Sequence, residues 1–327
     1  DRSQIDCCSD HLWTTWEHRD RKQFLRKNIN NQQLPENWPQ WFMKNRNKNG
    51  IDFGPKVRTT EEIVNTFTHT SRKDTNHSIP VTQPIEMDEK ELPVDPYLYG
   101  YWIGDGTKGA GSFTCDPKDQ SELIEKLQNC GYKIGNNRCY KTISALGLRT
   151  NLKKTCSFDT KKIDRRYMYN SFENRLKFLQ GLMDSDGYVS KNSSHVEFCT
   201  MTKEHAECVK FLAASFGYKP VIKTGNAMFN GENYGTKYRV EWGAKENINP
   251  FLLKRKSDLV KDKKNQQFRS THRMIVDYEE IEPKPMRCLK VDNKNRLFLA
   301  GESLIPTHNS YSGASTVKRA VEKHGVK

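Results

Sequence analysis

Two nonapeptides, "LYGYWIGDG" at 98–106 and "LQGLMDSDG" at 179–187, decide how this chain is read. Each opens with Leu, has Gly two residues later and a small residue four after that, and closes with Asp-Gly. Gly100 and Gly104, like Gly181 and Ser185, are one helical turn apart, so each segment predicts a helix with small residues along one face. Two such stripes allow two backbones to approach closely. Gly106 and Gly187 are expected to end the helices as C-caps in the left-handed conformation.

The resemblance between the two regions continues downstream. "SELIEKLQNCGYK" comes after the first nonapeptide and "EHAECVKFLAASFGYK" after the second; both carry apolar residues at helical spacing and end in Gly-Tyr-Lys. A duplicated half-domain is the simplest organisation with this pattern. Each predicted helix ends in a carboxylate, Asp105 or Asp186, at the negative end of its macrodipole. Packing the small faces together sets the two carboxylates side by side, a repulsive arrangement that a divalent cation would offset. Such a cation activates water and steadies the charge developing on a phosphodiester. Taken alone, the same residues also fit two packed helices with Asp-Gly turns and no chemistry.

The chain of 327 residues has room for two domains, and its 54 Lys and Arg exceed its 40 Asp and Glu by 14. A polyanionic partner fits this excess, and the rings interleaved with cations in "NWPQWFMKNRNK" suit nucleic acid. No apolar run approaches the roughly 20 residues that span a bilayer, and there is no secretory-type start. A soluble cytoplasmic protein with no membrane partner is therefore expected. Nine cysteines, an odd number, suit free thiols; Cys7 and Cys8 are adjacent, and no C-x-x-C spacing speaks for zinc.

The paired nonapeptides resemble the LAGLIDADG signature of homing endonucleases, over roughly 93–270. The resemblance implies a pseudo-twofold αββαββα duplication whose concave sheets sit over the major groove of double-stranded DNA. It also implies that Asp105 and Asp186 are catalytic and bind Mg2+ or another divalent metal. Ile103 stands where the family has its inner acidic residue, and Asp184 retains it in the second copy. "KKIDRRY" resembles the family's Lys-Ile-Pro segment, which makes Lys162 the candidate supporting lysine, with Asp164 in place of proline.

A second chemistry is suggested by "LIPTHNSYSG" at 304–313. An asparagine before a small residue can attack its own carbonyl and cut the chain; His308 is placed to polarise that carbonyl, and Ser310 is a nucleophile able to receive an acyl group. By themselves His308, Asn309 and Ser310 are ordinary loop residues. "CLKVDNKNRLFLAGESLIPTHNS" nevertheless resembles the C-terminal end of an intein, ending at Asn309. "CCSDHLWTT" resembles the intein segment with Thr-x-x-His, His11 taking the histidine position and Cys8 that of threonine. "RTTEEIVNTF" and "NHSIPVTQPI" resemble the link from there to the endonuclease.

The resemblance implies an α+β chain: an all-β, horseshoe-like Hint splicing domain interrupted by the endonuclease. Its parts are 1–92, lacking the start of the splicing domain and holding a basic, Trp-rich stretch at about 13–60; 93–270, the endonuclease; 271–309, the end of the splicing domain; and 310–327, the host protein. The missing N-terminal intein segment is then a partner, either truncated here or a separate chain. Arg296 stands near a position where the family often has His, which leaves more of the cleavage to His308. "SYSGA" looks like the segment just after the phosphate loop in phage terminase large subunits, so the expected host is a P-loop ATPase. The alternatives are a free-standing LAGLIDADG endonuclease, a catalytically inactive DNA-binding module, and an ATPase fragment.

Overall fold

Local signals start both helices of the repeat. Asp95 accepts hydrogen bonds from the amides of Tyr97 at 2.9 Å and Leu98 at 3.1 Å, and Pro96 comes next at the helix start, where no amide hydrogen is needed. Ser171 does the same for the second helix, accepting from the Asn174 amide at 3.4 Å.

The computed structural model describes residues 3–21, 55–68, 74–136, 139–191, 193–261, 271–286, 289–293 and 295–309. Ser310, the rest of 310–327, and most of the Trp-rich stretch lie outside the described residues. The chain runs β1 (Leu12–Glu17), β2 (Lys56–Thr59), α1 (Thr60–Asn65) and β3 (His77–Pro80). It continues through α2 (Pro96–Asp105), β4 (Ser112–Thr114), α3 (Gln120–Asn129), β5 (Lys133–Ile134), β6 (Thr142–Leu146), α4 (Leu148–Leu152) and α5 (Arg165–Met168). Next come α6 (Phe172–Asp186), β7 (Gly187–Val189), β8 (His195–Thr200), α7 (Lys203–Ser215), β9 (Val221–Phe229), β10 (Glu232–Gly243) and α8 (Lys254–Ser257). Three strands finish it: β11 (His272–Met274), β12 (Leu297–Ala300) and β13 (Ile305–His308).

Two units divide the chain: a central one over Gln83–Lys263, and a flanking one from Arg2–Thr82 and Lys264–Lys327.

In the central unit α2 is buried from Pro96 through Ile103, as a helix apolar on nearly every side must be. It meets α6 through glycines. A Cβ on Gly181 would lie 2.1 Å from the Tyr97 carbonyl oxygen, and one on Gly100 would lie 2.4 Å from that of Phe178. Leu98, Trp102, Phe178, Leu179, Leu182 and Met183 fill the surrounding core, and Tyr99 stacks on Tyr167 with centroids 3.7 Å apart.

Two expectations change. Gly106 and Gly187 are extended, at φ −78° and −90°, not left-handed. Glycine is required there by space: a Cβ would come within 2.4 Å of the Trp102 or the Met183 carbonyl oxygen. Left-handed glycines follow the next helix of each repeat instead: Gly131 (φ 81°) and Gly217 (φ 79°), in the two Gly-Tyr-Lys segments after α3 and α7. Secondly, the order αββαββα describes α6 through α8, whereas the preceding stretch from α2 to α4 is one strand short. There the glycine-rich "GDGTKGAGSF" leaves only an isolated bridge between Gly106 and Phe113. The sheets are β4-β6-β5 and β7-β8-β10-β9.

The flanking unit has a four-stranded sheet, β11-β3-β1-β2, and the hairpin β12-β13. It is not all-β, because "RTTEEIVN" contains a capping box: Thr59 Oγ1 accepts from the Glu62 amide and the Glu62 carboxylate from the Thr59 amide, which nucleates α1. Among the described residues Trp13, Ile63, Ile79 and Ile305 are buried together in its core. Among the described residues no helix is long and apolar enough to cross a membrane.

Candidate functional site

Crossing at Gly100 and Gly181 makes α2 and α6 end together. A Cβ on Gly104 would lie 2.1 Å from Ser185 Oγ and 2.6 Å from Asp186 Oδ2, so the small residue at 104 makes room for the opposing carboxylate. Burial, and then the negative charge of Asp186, pushes Asp105 up to about 6. Asp186 reaches solvent, and the protein crowding its carboxylate raises it in the same direction. Lys161 and Lys256 oppose both shifts.

These lysines correct the sequence expectation. Lys162 is exposed, and its carbonyl accepts from Ser157 Oγ at 2.6 Å. Lys161 is the residue turned toward the carboxylates: its Nζ donates to the Trp102 carbonyl and to that of Ile103 at 3.3 Å, and lies 3.9 Å from the Trp102 ring centre. Its backbone is left-handed, at φ 61°, a conformation that adjacent lysines in a sequence do not reveal. Burial lowers Lys161 to about 8, against the pull of Asp105 and Asp186. The loop is tied to α2 because the Tyr99 hydroxyl bonds to Ser157 and accepts from the Asp164 amide at 2.8 Å. Asp164, where a proline was expected, caps α5 by accepting from the Arg166 amide at 3.0 Å.

Sequence reasoning missed Lys256. It is buried, and its Nζ donates to the carbonyls of Met183 at 3.0 Å, Asp184 at 2.7 Å and Gly187 at 2.8 Å. In "LLKRKSDL" nothing separates it from Lys254 or Arg255; only the fold of α8 does.

The flanking unit brings the other candidates together on β1 and β13. His11 Nε2 is hydrogen-bonded to Thr307 Oγ1 at 2.5 Å, and His308 Nε2 to Thr14 Oγ1 at 2.8 Å. Burial lowers both histidines below their ordinary range, and for His308 the charges of His11 and Arg296 add to it. Both imidazoles are thereby neutral at pH 7. The Asn309 amide donates to the Arg296 carbonyl at 2.8 Å, so Arg296 contributes its backbone. Asn309 is buried, and among the described residues its Oδ1 has no hydrogen-bond partner. Cys8 is exposed, whereas Cys7 Sγ lies 3.3 Å from Thr60 Oγ1.

Comparison with known proteins gives three findings. The chain is 31% identical over 286 residues to the replicative DNA helicase DnaB of Mycobacterium intracellulare, an alignment covering 86% of this chain and 46% of that protein. It is 28% identical over 183 residues to the ATP-dependent DNA helicase Hel308 of Methanocaldococcus jannaschii, covering 47% and 15% respectively. The chain thus spans less than half the length of either relative. Among solved structures it is similar to mesophilic variants of the homing endonuclease I-DmoI, with 18% identity over 48% of this chain and 92% of that one and a TM-score of 0.32. It is likewise similar to I-DmoI in complex with DNA and Mn, with 18% identity over 46% and 89% and a TM-score of 0.32. Residues 173–282, which begin inside α6 at the second of the paired helices, match the sequence family described as LAGLIDADG-like domain.

Proposed function

We propose that this chain is an intein fragment with two separable activities: site-specific cleavage of double-stranded DNA by the central unit, and protein splicing by the flanking one. The observation that carries the first is the convergence of Asp105 and Asp186 at two glycine-packed helix ends, with Lys161 and Lys256 against the last turns. The donor set fits Mg2+, which protein commonly holds through one or two carboxylates while substrate phosphate and water supply the rest. Among the described residues no group of three or more His, Cys, Asp or Glu is gathered to hold a metal alone. When bound, such an ion lowers the pKa of water and steadies phosphate charge. The chain's own part is to hold two carboxylates ionised, keep two ammonium groups beside them, and offer a strongly basic surface to DNA.

For splicing, the Asn309 carboxamide nitrogen attacks the Asn309 carbonyl carbon. The bond to Ser310 breaks, a succinimide forms, and the departing amine takes up the proton. Neutral His308 polarises the carbonyl, and His11 assists the earlier acyl shift that ends on Ser310. The relatives named above are helicases, so we assign 310–327 to a helicase host in place of the terminase expected from sequence. A cytoplasmic setting belongs to the same proposal, as does an upstream intein segment completing the splicing domain.

Intact mass of the purified chain, followed over time at neutral pH beside Asn309→Ala, tests the splicing reading. Loss of the 18-residue tail only in the parent is expected. Persistence of the tail even with an upstream intein segment supplied in trans overturns it. Asp186→Ala should abolish Mg2+-dependent DNA cutting while leaving cleavage after Asn309 intact; loss of both argues against two separable sites.

A further inference from the structure

Superposing the two nonapeptides pairs Trp102 with Met183 and Ile103 with Asp184. Lys161 donates to the carbonyls of Trp102 and Ile103, and Lys256 to those of Met183 and Asp184. One ammonium therefore sits at the same point of each helix, but the devices that hold the two differ.

Lys161 arrives from a left-handed loop residue, its carbonyl hydrogen-bonded to His205 Nε2 at 2.9 Å and its ammonium on the Trp102 ring. Lys256 arrives from the four-residue α8, whose start is fastened to a side chain of α6, the helix whose last turn the ammonium holds. Asp184 Oδ2 accepts from the amides of Leu252 at 3.0 Å and Leu253 at 2.9 Å and from the Tyr97 hydroxyl at 2.9 Å. Tyr97 lies on α2, so the network joins both helices to the segment that carries Lys256. The side chain of Ile103, at the equivalent place, cannot accept a hydrogen bond.

Asp184 is 2% exposed and Lys256 6%. Burying a carboxylate and an ammonium together disfavours folding unless hydrogen bonds satisfy them, and an apolar residue of similar size fills the equivalent position in the first repeat. A packing role alone does not call for the acid. We propose that Asp184, with Tyr97, is a positioning residue that fixes Lys256 on the last turn of α6, and that this one-sided device makes the two DNA strands respond differently to its loss. The inference rests on the endonuclease reading.

The test uses the full chain and a supercoiled plasmid bearing a site that the parent has itself selected, with Mg2+, from a randomised duplex library. Single-turnover rates are followed for each strand, and binding of Mn2+ is titrated separately. Asp184→Asn and Tyr97→Phe should slow one strand by on the order of 10–100-fold, the effect of a misplaced group. Nicked circles should accumulate and Mn2+ affinity should hold. Lys256→Met should slow the same strand, and the double variant Asp184→Asn with Lys256→Met should be no slower than Lys256→Met. Equal slowing of both strands, or defects that multiply, overturns the proposal. Tyr97→Phe keeps it falsifiable if Asp184→Asn fails to fold, since only one hydroxyl is removed. A parent that selects no site and binds no Mn2+ sinks the endonuclease reading, and this inference with it.

Discussion

The two candidate sites are built by opposite means. In the central unit, two carboxylates meet because two helices cross with almost nothing between their backbones, inside a large aromatic and aliphatic core. In the flanking unit, the histidines are set by side-chain hydrogen bonds made across short strands. The first arrangement stores its geometry in packing, where a methyl group is felt; the second stores it in individual polar contacts, which can be removed singly. Sensitivity to volume should therefore dominate one site, and sensitivity to hydroxyl groups the other.

Gly181→Ala should break the comparison most forcefully if that account is wrong. The new methyl group would lie 2.1 Å from the Tyr97 carbonyl oxygen and 2.7 Å from the Tyr101 amide nitrogen, both main-chain atoms that no rotamer change moves. Overpacking of this kind costs about 1–3 kcal/mol or more, equivalent to roughly 2–12 °C in Tm for a unit of this size. Calorimetry should show that loss with cleavage after Asn309 unchanged. Gly243→Ala, where a Cβ meets nothing within 4 Å, is the control and should leave the transition near its parent position. Equal effects would mean that the helices are not held by close backbone contact.

A pH-dependent response to Mg2+ sharpens the electrostatic half of the same account. Asp105 is raised from 3.8 to about 6, so between those values the folded chain binds a proton that the unfolded chain has released. Metal-free stability should therefore fall as pH rises through this window. The ionised pair above it is what a cation relieves, so Mg2+ should raise Tm at pH 7.5 and have little effect at pH 5. Asp105→Asn should remove this difference, while other pH-dependent contributions, such as that of buried His77, persist. A Mg2+ effect equal at both pH values would detach the metal from this carboxylate.

What could be read from sequence was what depends on spacing within one element. The small stripes, the Asp-Gly ends and the helices after them are local patterns repeated twice, and the structure brings Asp105 and Asp186 together as that spacing implies. Residues placed by loop conformation or by a partner element were not legible. Only a left-handed backbone distinguishes Lys161, which faces the helix ends, from the expected Lys162, and Lys256 is marked out only by the fold of α8, whose start Asp184 holds. The glycines closing the nonapeptides were read as left-handed caps, whereas close contact with the preceding turn, absent from any one-dimensional pattern, is what requires them. Likewise, His11 and His308 could be picked out by motif, while Thr14 and Thr307 emerge only once β1 and β13 lie together.

Those threonines give the smallest effect and the finest test of the contrast. Thr14 Oγ1 is the hydrogen-bond partner of His308 Nε2, and Thr307 Oγ1 that of His11 Nε2. Valine has nearly the shape of threonine and lacks the hydroxyl, so the core should hardly register Thr14→Val, whereas the His308 ring loses the contact that orients it and fixes its tautomer. One neutral hydrogen bond contributes about 0.5–1.5 kcal/mol, so cleavage after Asn309, read by intact mass, should slow by roughly 2–12-fold. Thr307→Val should leave that step near the parent rate, because its partner is His11, which in the proposed sequence serves the upstream acyl shift. Similar slowing by both valines would mean that the two imidazoles act as one unit and that the division of labour between His11 and His308 is wrong.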